Sequence, residues 1–144
     1  MIRQAIIPLA GLGTRLLPLS SVIPKELLPI NGKPNLEYIM DECIDAGIRQ
    51  FIFVIPRKRQ SIKKYFFNDK FYKKIIKKKK KDLRLQQVFK KIKRYQKMIK
   101  FVYQNKPDGT GDAVLKCKRY LKDTHFLMLL ADDLILRRNC SKEM

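Results

Sequence analysis

Apolar residues fall along the chain in short blocks that switch between two periods. Arg3 to Leu9 reads R-Q-A-I-I-P-L, a run bounded by Ala10-Gly11, and predicts a buried strand. Glycine and proline punctuate the next stretch, from Ala10 to about Pro34, which predicts a long loop. Leu36, Ile39, Met40, Cys43 and Ile44 then recur at the spacing of one helical face. Pro34 suits the first position of that helix, and Gly47 suits its C-terminal cap. Phe51 to Ile55 is a continuous apolar strand stopped by Pro56. Helical spacing returns at Ile62, Tyr65 and Phe66, and again at Leu85, Val88, Phe89 and Ile92. Ile99 to Gln104 predicts a third strand, Gly111 to Leu121 a helix, and Phe126 to Ala131 a fourth strand.

Regular alternation of strand and helix implies an α/β fold with a mainly parallel sheet. The chain has 144 residues, which fits one domain spanning 1–144. No run of 18 apolar residues exists, so insertion into a membrane as a helix is not expected. The N-terminus lacks the order of a signal peptide, and the expectation is a cytoplasmic protein. Cys43, Cys117 and Cys140 are scattered, with no C-x-x-C and no histidine cluster, and read as reduced thiols.

Charge changes this picture in one region. The chain carries 33 Lys and Arg against 13 Asp and Glu, a net charge of +20. Residues 57–100 alone hold 20 of these bases and only two acids, Asp69 and Asp82. The chain is therefore a near-neutral domain with a basic helical segment, 57–98, set into it. A uniformly basic nucleic-acid binder has a different distribution, and no specific nucleic acid is expected as partner. The Lys77 to Lys81 run reads first as a solvated helical face and second as a contact for a polyanion.

Ligands of open parallel sheets bind beyond the carboxyl ends of the strands, so the residues after each strand carry the candidate chemistry. After the first strand comes Ala10-Gly11-Leu12-Gly13-Thr14-Arg15, and later Lys25-Glu26. Two glycines allow backbone N–H groups to approach phosphate oxygens, and Arg15 and Lys25 add fixed positive charge. The loop is neither the dinucleotide fingerprint, since Leu16 stands where a third glycine belongs, nor a P-loop. After the third strand, Gln104 offers a donor and an acceptor to a base edge, ahead of the glycine-bearing P-D-G-T-G-D-A loop from Pro107. After the fourth strand come Asp132 and Asp133, which must face water, a partner or a metal. Magnesium suits such a place, because it takes few carboxylates along with water and phosphate oxygens. Asp133 is expected to cap a turn.

The blocks G-L-G-T-R-L-L-P, I-P-K-E-L-L-P-I with G-K-P, Q-N-K-P-D-G-T-G-D-A-V and L-L-A-D-D-L-I together resemble the sugar-1-phosphate nucleotidyltransferases, in particular the bacterial UTP–glucose-1-phosphate uridylyltransferases. The resemblance covers Ile2 to about Ile55 and Lys100 to Leu136. It implies a Rossmann-like nucleotidyltransferase fold that transfers a uridylyl group from UTP to glucose 1-phosphate, giving UDP-glucose and pyrophosphate, with Mg2+. Carried over by motif, Ala10, Gly11, Gly13 and Thr14 form the nucleotide-binding loop. Arg15 holds the triphosphate, and Lys25 offsets charge at the α-phosphate. Gln104 and Gly109 read the base, Asp132 binds the metal, and Glu26 orients its neighbours.

Three departures stand out: Ser20-Ser21 where the family usually has Thr-Lys, Asp112 where it often has His, and Ala131 where it often has Gly. Family members run to nearly twice this length, so the resemblance implies the N-terminal, nucleotide-binding half in a truncated form. The family's sugar-binding Glu-Lys-Pro element and second metal-binding Asp are not found here. A homo-oligomer formed through the absent half is a further implication, as is an exposed sheet edge. Two alternatives stay open: a glucose-1-phosphate thymidylyltransferase, and an inactive remnant that binds nucleotide or polyanion. A single methyl group separates UTP from dTTP in the pocket, a difference of only about 1–3 kcal/mol.

Overall fold

The central strands of the main sheet are apolar on both faces because helices cover it on both sides. The computed structural model describes residues 1–106, 108–133 and 140–143. The strands are β1 (Gln4–Pro8), β4 (Gln50–Ile55), β5 (Ile99–Tyr103) and β6 (Leu127–Met128). All pair in parallel, in the order β5-β4-β1-β6. Side chains alternate between faces, as strand geometry requires. Ala5, Ile7, Phe51, Phe53 and Ile55 share a core with helices α1 (Asn35–Asp45), α2 (Ser61–Phe67) and α4 (Leu83–Met98). Ile6, Ile52, Val54 and Val102 pack on Ala113 and Cys117 of α5 (Gly109–Cys117). The predicted α/β fold with a parallel sheet and flanking helices is the fold observed.

Local signals act where they were read. Gly47 has φ 102°, and the Ile48 and Gly47 amides donate to the Cys43 and Ile44 carbonyls at 2.9 and 3.1 Å. That is a Schellman cap, and it needs the left-handed residue that glycine supplies without strain. Pro34 is the extended residue just before α1 rather than its first helical one. It belongs to a small antiparallel hairpin, β2 (Pro29–Ile30) with β3 (Lys33–Pro34), inside the stretch read as loop. The helix read over 111–121 begins earlier, at Gly109, and tightens into a 3-10 turn at Lys118–Tyr120. The fourth strand is shorter than its apolar run: only Leu127 and Met128 pair with β1. Leu129 adds one more amide bond, to Ile6 O at 3.1 Å, and the chain then turns away.

The basic segment forms three helices, α2, α3 (Asp69–Lys78) and α4, between β4 and β5. Polar contacts fasten it to α1. The Tyr65 hydroxyl donates to Glu37 at 2.5 Å and the Tyr95 hydroxyl to Asp41 at 2.5 Å. Lys91 reaches Glu37 at 2.8 Å and Asp41 at 3.2 Å, and Lys33 reaches Asp41 at 2.6 Å. Burial works to raise the Asp41 carboxyl, but the Lys33 ammonium and the Tyr95 hydroxyl outweigh it and hold it below its ordinary range.

Cys43 and Cys117 are buried free thiols, each pushed up to about 11 by burial, which keeps them unreactive. The side chain of Cys140, in the short helix α6 (Cys140–Glu143), lies outside the described residues. Among the described residues no helix is long and apolar enough to cross a membrane.

Candidate active site

The strand order opens a crevice at one place. From β1 the chain goes to β4 on one side, and it returns on the other side as β6. The carboxyl ends of β1 and β6 therefore diverge at a topological switch point, where α/β sheets bind ligands. The loop of residues 10–25 leaves the end of β1, and the Ala131-Asp132 turn leaves the end of β6.

Gly13 adopts φ 64°, and a Cβ there would lie 3.2 Å from Ser20 Cβ. Only glycine fits this bend without displacing the serine. Ser20 is buried and donates to Gly13 O at 2.7 Å, so the serine locks the loop. Ala10 is half-buried, whereas Gly11, Thr14 and Arg15 are exposed. A Cβ on Gly11 would meet nothing within 4 Å, so this glycine borders open space.

Lys25, in a 3-10 turn at Lys25–Leu27, crosses the crevice to Asp132, with Nζ 2.6 Å from Oδ2. Lys25 beside Asp132 holds the carboxyl below its ordinary range; partial burial opposes this, and Arg15 adds to it. Arg15, Lys25 and Asp132, named separately from the sequence, thus share one electrostatic site. Asn35 donates to Ala131 O at 2.5 Å and fixes the turn that presents Asp132. Asp133 is exposed, and its amide closes a turn onto Leu130 O at 3.3 Å.

Gln104 and Gly109 form a second group, at the end of β5. Gln104 is buried, and its Nε2 donates to Gly109 O at 3.1 Å and to Asp112 Oδ2 at 2.7 Å. Asp112 also binds Lys116 at 2.7 Å, and the two partners, Lys116 first, hold its carboxyl low. The departure at Asp112 is therefore charge-compensated, and it occupies the amide donor that a base edge would use. Pro107, and the Leu134 to Leu136 part of the last block, lie outside the described residues.

The donor set suits magnesium. Asp132 is a hard oxygen ligand with a half-exposed side chain. Among the described residues no three His, Cys, Asp or Glu cluster to make an all-protein cage. One carboxylate completed by phosphate oxygens and water is how that ion binds beside nucleotides.

Comparison with known proteins places the chain in a family. The family model for nucleotidyl transferases matches residues 4–144. The chain belongs to the nucleotidyl transferase family. Among its relatives are UTP–glucose-1-phosphate uridylyltransferases. That of Mycoplasma pneumoniae is 39% identical over 134 residues, covering 93% of this chain and 45% of the relative. That of Bacillus subtilis is 36% identical over 137 residues, with the same coverage of 93% and 45%. A UTP-bound UGPase from Acinetobacter baumannii superposes with a TM-score of 0.79 at 39% identity, over 92% of this chain and 46% of that one. A UDP-glucose pyrophosphorylase complexed with UDP-glucose gives 0.72 at 30% identity, over 99% of this chain and 52% of that one. This member of the family spans about half the length of the relatives it matches.

One residue joins the site that sequence reasoning did not place there. Arg59, from the loop after β4, donates to Gly11 O at 2.9 Å. It lines a groove of about 570 Å3 with Leu12, Lys58 and Lys64. In the sequence it is one of many bases, and nothing local sets it apart. Glu26 was expected to orient its neighbours. It is only 1% exposed, yet neither carboxylate oxygen has a hydrogen-bond partner among the described residues, so it orients none by hydrogen bonding. Burial raises its carboxyl above the ordinary range, against its own backbone and the charges of Lys25 and Arg59.

A carboxyl whose folded pKa is raised contributes most stability below its unfolded value, and that contribution is lost as pH rises through the folded one. Glu26→Gln is therefore expected to raise the thermal midpoint of the free chain at about pH 8, by the equivalent of about 1–3 kcal/mol. The gain should shrink toward about pH 5. Thermal unfolding of both proteins across that range checks it; a gain that grows on acidification contradicts the assignment.

Proposed function

We propose that this chain forms the nucleotide-binding half of a UTP–glucose-1-phosphate uridylyltransferase acting in the cytoplasm. The observation that carries the reading is the Lys25–Asp132 pair, which spans the crevice between β1 and β6 beside Arg15 and the open glycine loop. A triphosphate needs an approachable backbone, at least two fixed cations and a carboxylate for its metal, and this crevice holds all three.

In the proposed reaction an oxygen of the sugar phosphate attacks the α-phosphorus of UTP in line. The new P–O bond forms as the bond to the β-phosphate oxygen breaks, and pyrophosphate leaves with the electron pair. Arg15 and Lys25 neutralise the phosphate oxygens on which charge builds up. In the free chain Lys25 rests on Asp132, which keeps its ammonium in the crevice. Asp132 would hold Mg2+, which supplies charge neutralisation across the phosphates. Gly13, locked by Ser20, keeps the loop bent, and Arg59 braces that loop at Gly11. Gln104 retains its side-chain carbonyl for the base edge, and Gly109 lies beside it.

Isothermal calorimetry with UTP and magnesium tests this reading. The chain is expected to bind UTP weakly, and Arg15→Ala should weaken binding by about 1.5–3 kcal/mol, the loss of one charge-assisted contact. Equal affinities for the two proteins would remove Arg15 from the site.

A further inference from the structure

The positive charge of residues 57–100 is arranged, and the site described above does not use most of it. On α3, Lys70, Lys73, Lys74, Lys77 and Lys78 follow the spacing i, i+3, i+4, i+7, i+8 and are all exposed. Such neighbours stand about 5–6 Å apart along a helix. None of the five makes an ion pair or a side-chain hydrogen bond among the described residues. The two acids of the segment form their hydrogen bonds elsewhere, although Lys73 adds to the positive field on Asp69. Asp69 binds Lys93 at 2.7 Å, and Asp82 caps α4 through the Leu85 amide at 3.1 Å. Like charges at this density repel one another and destabilise the compact state. An anionic partner relieves that repulsion.

The shape narrows the partner. Four of these lysines, Lys70, Lys73, Lys74 and Lys77, line a groove of about 540 Å3 between α3 and α4, together with Ile76 and Phe89. Phe71, on the same helix, is 55% exposed. The side of α3 carrying Tyr72 is already turned to the protein, where the ring meets Phe89 at 6.2 Å and the hydroxyl donates to Tyr65 O. That side is not available to enter a bilayer, which argues against an interfacial membrane helix. Lysines that track a backbone with an exposed aromatic ring, here Phe71, on the same helix are the pattern of single-strand binding, since a ring is useful to a base that is not already stacked in a duplex. Lysine is a point charge without the bidentate fork that reads base edges, so the contact is to phosphates.

We propose that the groove between α3 and α4 binds single-stranded nucleic acid without sequence preference, through phosphate contacts of Lys70, Lys73, Lys74 and Lys77. This surface is independent of the nucleotide reading of the crevice. The test uses the full chain and a fluorescein-labelled dT oligomer of about twenty nucleotides, read by anisotropy. Four phosphate contacts to a single strand give a log–log salt slope of about −3, a loss of roughly 60-fold as salt rises fourfold. The quadruple Lys→Gln variant at the four positions should lose most of that binding and most of the slope, with its circular dichroism and UTP binding unchanged. The quadruple Lys→Arg variant should retain both binding and slope. Unchanged oligomer binding in the Gln variant overturns the proposal. So does a duplex of the same length that binds more tightly, or retention on phosphatidylserine vesicles without any oligomer binding.

Discussion

Supplied with UTP, glucose 1-phosphate and magnesium, the 144-residue chain by itself is expected to release pyrophosphate many orders of magnitude more slowly than the 1–10³ per second typical of enzymes, at about 25 °C. The described residues furnish groups for one substrate. Arg15, Lys25 and Asp132 gather at the end of β1 and β6, and among the described residues no three His, Cys, Asp or Glu side chains cluster to hold a metal. The matched relatives are about twice as long, and the family resemblance assigns the sugar-phosphate contacts to that additional length. In-line transfer needs both reactants held with their reacting atoms about 3–3.5 Å apart, and such positioning can supply roughly 7–11 kcal/mol of the barrier. Removing one of the two held partners forfeits most of that. A pyrophosphate-release assay on the purified chain decides the matter. Turnover in the ordinary enzyme range that disappears in Asp132→Asn would show that the groups on this chain suffice for both substrates.

Phe53→Ala is expected to destabilise the fold by about 3–5 kcal/mol, the range for deleting a large buried aromatic ring. Phe53 is fully buried at the centre of β4. Its ring lies 6.2 Å from Phe51, 5.9 Å from Phe66 and 6.0 Å from Phe101, centroid to centroid. Phe66 in turn meets Tyr95 of α4 at 5.9 Å. One ring therefore joins β4 and β5 to the helices of the basic segment, and three elements would border the cavity left by its loss. At roughly 2–4 °C per kcal/mol for a chain of this size, the thermal midpoint should fall by on the order of 10 °C. Val88→Ala, on the exposed side of α4, should stay within about 0.5 kcal/mol of the parent. A small loss at Phe53, equal to that at Val88, would mean that the basic segment is not fastened through this core.

Features that depend on near neighbours were legible in the order of residues alone. Apolar spacing placed the strand after Arg3, the α1 stripe from Leu36 to Ile44 and the strand from Phe51, because periods of 2 and 3.6 are imposed by backbone geometry within a few residues. Gly47 marked a helix end, because a left-handed cap has a local steric requirement. The glycine loop, Lys25 and Asp132 were legible as separate candidates because each follows a strand end. Tertiary structure alone decided how these pieces meet. Lys25 and Asp132 are 107 positions apart, and they become one ion pair only because β6 lies beside β1. Arg59 reaches Gly11 only because β4 occupies the other side of β1. The commitment of Gln104 to Asp112 depends on how α5 follows β5. The burial of Glu26 beside two cations cannot be read from its own segment, which looks like an exposed loop. Desolvation and charge pairing are set by whatever atoms the whole fold brings within a few ångströms, whereas propensity and periodicity are set by the chain on either side of a residue.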